Sequence, residues 1–453
     1  MADMPSSTAR PRLSVEGVRR ALNIHAGEGG AAVCGFVFFF CLFTGYFMLR
    51  PIRETLGIAA GVDKLQWLFT ATFVVMLAAV PCFGWLARRV PRASFVTWTY
   101  AFFAATLLGF SAWLYLQPGD LWPARAFYVW LSVFNLFVVS VAWSLMADVF
   151  RTGQAKRLFA FIAAGASTGG LAGPVLGGVL ADRLGAPGLI LLSAVLLGLT
   201  LPMKSWLMRW RAREGAGAPD AIAGPPTVPP AGTPASATPA SDSPARPIGG
   251  GILAGATRTF SSPLLLGIAA FVVLLATAST FLYMEQARLV ADAFSSSAER
   301  IRVFSALDFT VQALSMLTQL FLTGRLAQRL GVTFLLTSVP VIVCLGFLAL
   351  AVAPTFAVLA VVMVLRRVGE YALVRPGREM LFTTVDAEAK YKAKNFIDTV
   401  VYRAGDAASA WVKTGVDALG HGAALVALVG ALCAAVWGAC GYALGRRADR
   451  RRA

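Results

Sequence analysis

Long apolar runs broken by short polar turns dominate the chain. A helix needs about 20 apolar residues to cross the hydrocarbon core of a bilayer. Twelve runs reach that length: roughly 31–49, 66–87, 94–116, 125–147, 158–181 and 187–208, then 262–285, 302–323, 332–353, 355–374, 396–415 and 422–445. The tenth and eleventh carry several charges and are the weakest by hydropathy. Between Trp210 and Phe260 there is no aromatic residue, and the stretch AGPPTVPPAGTPASATPASDSPARP cannot build a core. The pattern predicts an all-α membrane protein of twelve transmembrane helices in two six-helix bundles. Its parts would be a tail (1–30), the first bundle (31–208), a disordered linker (209–257), the second bundle (258–446) and a basic tail (447–453).

Charge placement orients this scheme. Lys and Arg total 40 and the net charge is +17. An even number of spans puts both termini on one side. With span edges drawn loosely, 28 of the cations fall in segments on that side and 9 in the opposite loops, while Arg366, Arg367 and Arg403 lie inside spans. This positive-inside bias makes the termini and the linker cytoplasmic. The basic balance therefore reports topology, and no nucleic-acid partner is expected. The first 30 residues are polar, with Arg10, Arg12, Arg19 and Arg20, so a cleavable signal peptide is not expected.

Composition excludes most chemistry. Charged residues are only 14% of the chain, against about 25% in soluble domains. The only histidines are His25 and His421, and no HExxH or P-loop string occurs. An enzyme, a metal site and a cofactor are accordingly not expected. The six cysteines all sit in apolar runs without a CxxC pair and read as small core residues.

Internal repeats add a family signal. Gly84-Trp85-Leu86-Ala87-Arg88-Arg89 follows the second run, and Gly324-Arg325-Leu326-Ala327-Gln328-Arg329 follows the eighth. A third copy, Gly178-Val179-Leu180-Ala181-Asp182-Arg183, ends the fifth, on the opposite membrane face, as nested inverted repeats require. Six plus six spans, a long central loop and this basic motif resemble the major facilitator superfamily. That resemblance implies a monomeric transporter whose partners are the lipid bilayer and a small-molecule substrate. The fifth run carries Gly165, Gly169, Gly173 and Gly177 on one helix face, beside Pro174. Such a stripe admits a close backbone and a bend. The string also resembles the fifth-span motif of proton-linked antiporters.

Charges inside the membrane cost about 2.5–3.5 kcal/mol on insertion scales and mark cavities or partners. The first run ends in Arg50-Pro51-Ile52-Arg53-Glu54, with both guanidinia able to face one way and Pro51 expected to bend or end the helix. Glu285 closes the seventh run. Asp308, Gln312, Ser315, Gln319 and Thr323 form one face of the eighth, read as pore lining or a polar helix seam. Glu370 lies one turn from Arg366 and Arg367, and Arg403 is three residues from Asp406, so both sets can self-neutralise. Asn135 is the polar candidate of the fourth run. Arg50-Pro51-x-Arg53-Glu54-x-Leu56 recurs as Arg375-Pro376-x-Arg378-Glu379-x-Leu381, suggesting mirrored basic gates.

Several strings together, GYFMLRPIRETLG at 45–57, QAKRLF at 154–159, and RPGREMLF with DAEAKYKAKNFIDTVVYRAGD within 375–406, resemble the ATP:ADP antiporter family and its bacterial relatives of unassigned substrate. The resemblance implies a bacterial inner-membrane transporter of a small anionic or zwitterionic solute, with nucleotides included. Arg53-Glu54, Glu285, Asp308-Phe309 and Arg403-Ala404-Gly405 match the family's pattern. Asp406 stands where the family has Lys, and its fourth-span acidic residue falls near Leu131. On this reading Arg50, Arg53, Asn135, Gln312, Arg367 and Arg403 bind substrate. Glu54, Glu285, Asp308, Glu370 and Asp406 pair charges or carry a coupled proton. The alternative is a proton-coupled exporter of drug-like molecules.

Overall fold

The computed structural model describes residues 25, 27–215, 252–383, 393–420 and 422–450. Most of the first tail, the greater part of the linker with its expected disorder, and the last three residues lie outside these. Among the described residues the secondary structure is helical throughout.

The helices are α1 (Gly29–Ala59), α2 (Leu65–Arg89), α3 (Arg92–Leu116) and α4 (Trp122–Val149). The run Thr152–Gly215 is two spans, because Gly185 at φ 59°, ψ −174° reverses the chain between α5 (152–184) and α6 (186–215). Only glycine adopts that backbone readily. A short amphipathic helix, Ile252–Ser261, precedes α7 (Pro263–Ala293). A capping box between Ser296 and Glu299 starts α8 (297–330), which passes through a π turn at Gln319–Thr323. Gly331, at φ 74°, reverses the chain into α9 (332–352). Next come α10 (356–382, with a π turn at Glu370–Val374), α11 (393–418, with a π turn at Ile397–Val401) and α12 (Gly422–Arg450).

Each apolar run thus falls on one helix. The repeat gains a physical reason here. Gly178 and Gly324 each stand seven residues before a reversing glycine, so the motif continues as Leu184-Gly185 in one copy and Leu330-Gly331 in the other. The first copy ends in Val90-Pro91, an extended linker.

Of the two outcomes expected at Pro51, a bend or an end, the structure removes the second: α1 continues to Ala59. A proline inside a helix costs about 3 kcal/mol. Ile52, Thr55, Leu56 and Ile58 beyond it are buried, and their packing outweighs that cost.

Close helix contacts rest on glycine. A Cβ at Gly165, Gly169 or Gly173 would lie 2.2, 2.6 and 2.6 Å from the carbonyl oxygens of Phe36, Phe40 and Thr44, so α5 lies directly on the α1 backbone. In the second half, Gly441 and Gly445 on α12 meet Leu336 and Thr333 of α9 equally closely. Buried rings, among them Phe38, Tyr100, Phe127 and Tyr128, fill the first bundle; Phe271, Phe281, Phe382 and Trp437 fill the second. Large apolar side chains such as Trp98, Tyr115, Trp122 and Val352 face outward, as a lipid-covered surface requires.

Call the helix ends at residues 29, 89, 149, 330, 382 and 450 the near side, where the described residues begin and end. The halves meet toward the far side. There Arg302 pairs with Asp182, Tyr128 bonds Tyr283 at 2.9 Å, and Trp411 packs edge-on to Trp67 while donating to Thr70 at 3.0 Å.

Candidate functional site

The charges buried midway through the bundles come from α1, α8, α10 and α11. Helix geometry separates neighbours that the linear pattern groups together. Successive residues turn by about 100° around a helix axis, so Arg366 and Arg367 cannot share one partner easily. Arg366 donates to Glu370 Oε2 at 3.0 Å and to Ser279 Oγ at 2.6 Å. Arg367 instead faces α8, with Nη2 2.6 Å from Asp308 Oδ1. The expected Glu370 pairing with Arg367 is therefore replaced. Glu370 takes Arg366 and, through Oε1, Arg375 at 3.3 Å.

Arg50 and Arg53 also part company. Arg50 Nε lies 3.6 Å from Asp308 Oδ2, across the interface between the halves. Arg53 stacks on the Tyr128 ring at 3.9 Å, donates from Nε to the Tyr128 carbonyl at 3.1 Å and pairs with Glu54 at 3.2 Å. Since Tyr128 is hydrogen-bonded to Tyr283, Arg53 sits on the far-side closure between the bundles. Asp406 is buried, accepts from Thr280 at 3.1 Å and pairs with Arg403 at 3.4 Å. Within 375–406, Arg378 pairs with Asp398 at 2.9 Å and Lys394 with Glu379 at 2.7 Å, tying α10 to α11.

Other sequence candidates fall elsewhere. Glu285 pairs with Arg288 on its own helix and does not join the central cluster. Gln312 points at α5, where a Cβ on Gly170 would come within 2.9 Å of its Nε2. Gln319 and Thr323 donate to the carbonyls of Tyr371 and Ala372 at 3.1 and 2.9 Å. These acceptors lie in the π turn of α10, where the ordinary helical ladder is broken. The polar stripe of α8 is thus divided: Asp308 serves the charge cluster, and its near-side end is a seam. Asn135 is half-buried on α4 and has no hydrogen-bond partner among the described residues.

The balance of charge is positive. Arg50, Arg53, Arg366, Arg367, Arg375 and Arg403 stand against the carboxylates Glu54, Asp308, Glu370 and Asp406. Asp308 and Glu370 each face two arginines. A group of arginines with several donors and too few carboxylates suits the oxygens of a carboxylate or phosphate. Among the described residues no group of three His, Cys, Asp or Glu could hold a metal ion. Tyr128 and Ser279 escape sequence reasoning, because single hydroxyl-bearing residues inside apolar runs leave no periodic signal.

Comparison with known proteins bears on this architecture. No curated protein matches the chain by sequence. Solved structures match its fold. A bacterial homologue of the human lysosomal transporter Spinster, in an inward-facing and unoccupied conformation, aligns with TM-score 0.60 and 12% identity over 93% of this chain and 97% of its own. The POT family transporter PepTSo gives 0.61 and 12% over 92% and 98%. A bacterial homologue of the iron transporter ferroportin, in an inward-facing state, gives 0.61 and 12% over 90% and 98%. The family model of the Major Facilitator Superfamily matches residues 31–383, which is most of the chain. With that match, and with twelve long helices in two bundles among the described residues, the chain belongs to the Major Facilitator Superfamily of membrane transporters.

Proposed function

We propose that this secondary transporter moves a small organic anion across the bacterial inner membrane by alternating access, with both termini in the cytoplasm. The observation that carries the reading is the convergence of Arg50 from the first half and Arg367 from the second on Asp308. Charges at this depth are costly unless they serve a cavity or a partner. The excess of guanidinia over carboxylates supports an anionic cargo, or a zwitterion bound through its anionic group. Nucleotides belong to this class, and the strings shared with the ATP:ADP antiporter family support them. Asp406, which replaces that family's Lys, weakens polyphosphate binding and favours a cargo with less charge. Asp406 also supplies a buried carboxylate able to carry a coupled proton. The fifth-span glycines are accounted for by their contact with the α1 backbone, so they lend no separate support to a drug exporter.

Thermal stabilisation of the purified protein by a panel of nucleotides, sugar phosphates, di- and tricarboxylates, amino acids and organic cations tests the reading. A ligand of the folded state must raise its apparent stability. Organic anions should stabilise the wild type, and the effect should vanish in Arg50→Gln and Arg367→Gln. Stabilisation by cations alone would overturn it.

A further inference from the structure

Two carboxylates in the central cluster face two arginines each, but in different ways. Glu370 takes both of its partners, Arg366 and Arg375, from its own helix, and both donate hydrogen bonds to it. Asp308 takes partners from two different helices in different halves. Its contact with Arg50 is 3.6 Å, beyond hydrogen-bond length. Arg367 comes to 2.6 Å, yet its Nη2 has no hydrogen-bonding alignment to any acceptor. Asp308 is 5% exposed, so water does not compensate it. It is held by charge rather than by directed bonds.

We propose that Asp308 is a tethered counter-anion, which the cargo must displace from Arg50 and Arg367 in order to bind. The inference rests on the anion reading above. A carboxylate on the chain satisfies the same guanidinium faces that a carboxylate or phosphate of the cargo would take. Two anions cannot occupy one such face, so cargo binding and the Arg50–Asp308 contact exclude each other. Since Arg50 belongs to the first half and Asp308 to the second, displacement also removes a tie between the halves. Arg367, on the same half as Asp308, keeps its carboxylate longer than Arg50 does. Asp308 thereby lowers affinity while coupling binding to the movement of the bundles. Glu370, bonded within α10, has no such role.

Inorganic phosphate is the probe, with binding read from thermal stabilisation of the full chain in detergent. Asp308→Asn should be stabilised at phosphate concentrations about tenfold lower than the wild type requires, as expected when a competing ligand is removed. The double variant Asp308→Asn/Arg50→Gln should lose that gain, and Asp308→Glu should not show it. An unchanged or weaker phosphate response in Asp308→Asn would overturn the proposal. Should Asp308→Asn fail to survive extraction, extraction in phosphate decides. Recovery in phosphate but not in sodium chloride of equal ionic strength supports a displaced counter-anion, and failure in both overturns it. The anion reading fails by a different result: organic anions stabilise the wild type no better than Arg50→Gln/Arg367→Gln.

Discussion

Arg53 is held by a ring and a carbonyl as much as by a carboxylate. Its guanidinium covers Tyr128 at 3.9 Å while Nε bonds the carbonyl of the same residue. A cation over an aromatic face contributes about 0.5–2 kcal/mol, the larger values when desolvated. Through Tyr128 and Tyr283 the residue bears on both bundles. Arg53→Gln shortens the side chain and loses the charge and the planar fork. It is expected to abolish uptake of the stabilising anion at equal membrane abundance, and Arg53→Lys to keep part of it, because Lys restores the charge without the bidentate geometry. Full uptake by Arg53→Gln would leave Arg53 no role beyond packing. Asp406 makes a second case. It compensates Arg403, whose side chain is 27% exposed. Asp406→Asn leaves Arg403 without its partner. It should lower stability by about 1–3 kcal/mol, the range for a hydrogen-bonded charge left unmet, and adding Arg403→Gln should recover part of that loss. A protein as stable as the wild type after Asp406→Asn would show that the pair contributes nothing to folding. Unaffected exchange together with lost accumulation would then mark Asp406 as a proton carrier.

At the scale of the helix, glycine decides how closely two backbones approach. A methyl group at Gly169 would meet the Phe40 carbonyl oxygen at 2.6 Å and the Thr44 nitrogen at 3.0 Å, both backbone atoms that cannot rotate away. Overpacking of this kind costs about 1–3 kcal/mol. At Gly109 the same methyl group meets nothing within 4 Å. Gly169→Ala should therefore lower the melting temperature clearly, while Gly109→Ala should leave it unchanged or raise it through better helix propensity. Equal effects at the two sites would show that the α1–α5 contact is looser than described. The stripe was legible because one residue in every four is a periodic signal. So were the twelve spans, since a bilayer demands about 20 apolar residues whatever their identity. The end of α1 was not legible at Pro51, because burial of Ile52 and Leu56 depends on helices distant in sequence. The partner of Arg367 was not legible either. Spacing of three or four reports pairs within a helix, and Asp308 lies on another. The π turn of α10 escapes for a similar reason, as its carbonyls at Tyr371 and Ala372 are met by Gln319 and Thr323 of a neighbouring helix.

For the whole molecule the decisive questions are which side is inside and how the halves close. On the proposed orientation, which rests on the Lys/Arg bias, the near side faces the cytoplasm. A reporter active only in the periplasm, fused at Pro230 in the linker, should stay silent; activity there would invert the topology. Closure is the sharper test. Asp182 lies in the last turn of α5 and Arg302 in the second turn of α8, and their ion pair joins the first half to the second at the far side. Both side chains are about half exposed (55% and 47%), so the pair itself adds little stability. Its use is positional, because any cycle that opens the far side must part these two residues. In a protein with the six native cysteines replaced, Asp182→Cys/Arg302→Cys should be bridged by a short bis-methanethiosulfonate reagent, seen as a mobility shift. The cross-linked carrier should lose uptake of the stabilising anion and regain it on reduction, while each single cysteine variant keeps uptake throughout. Retained uptake in the cross-linked protein would mean that the far side does not part between α5 and α8, and that the halves move about some other seam.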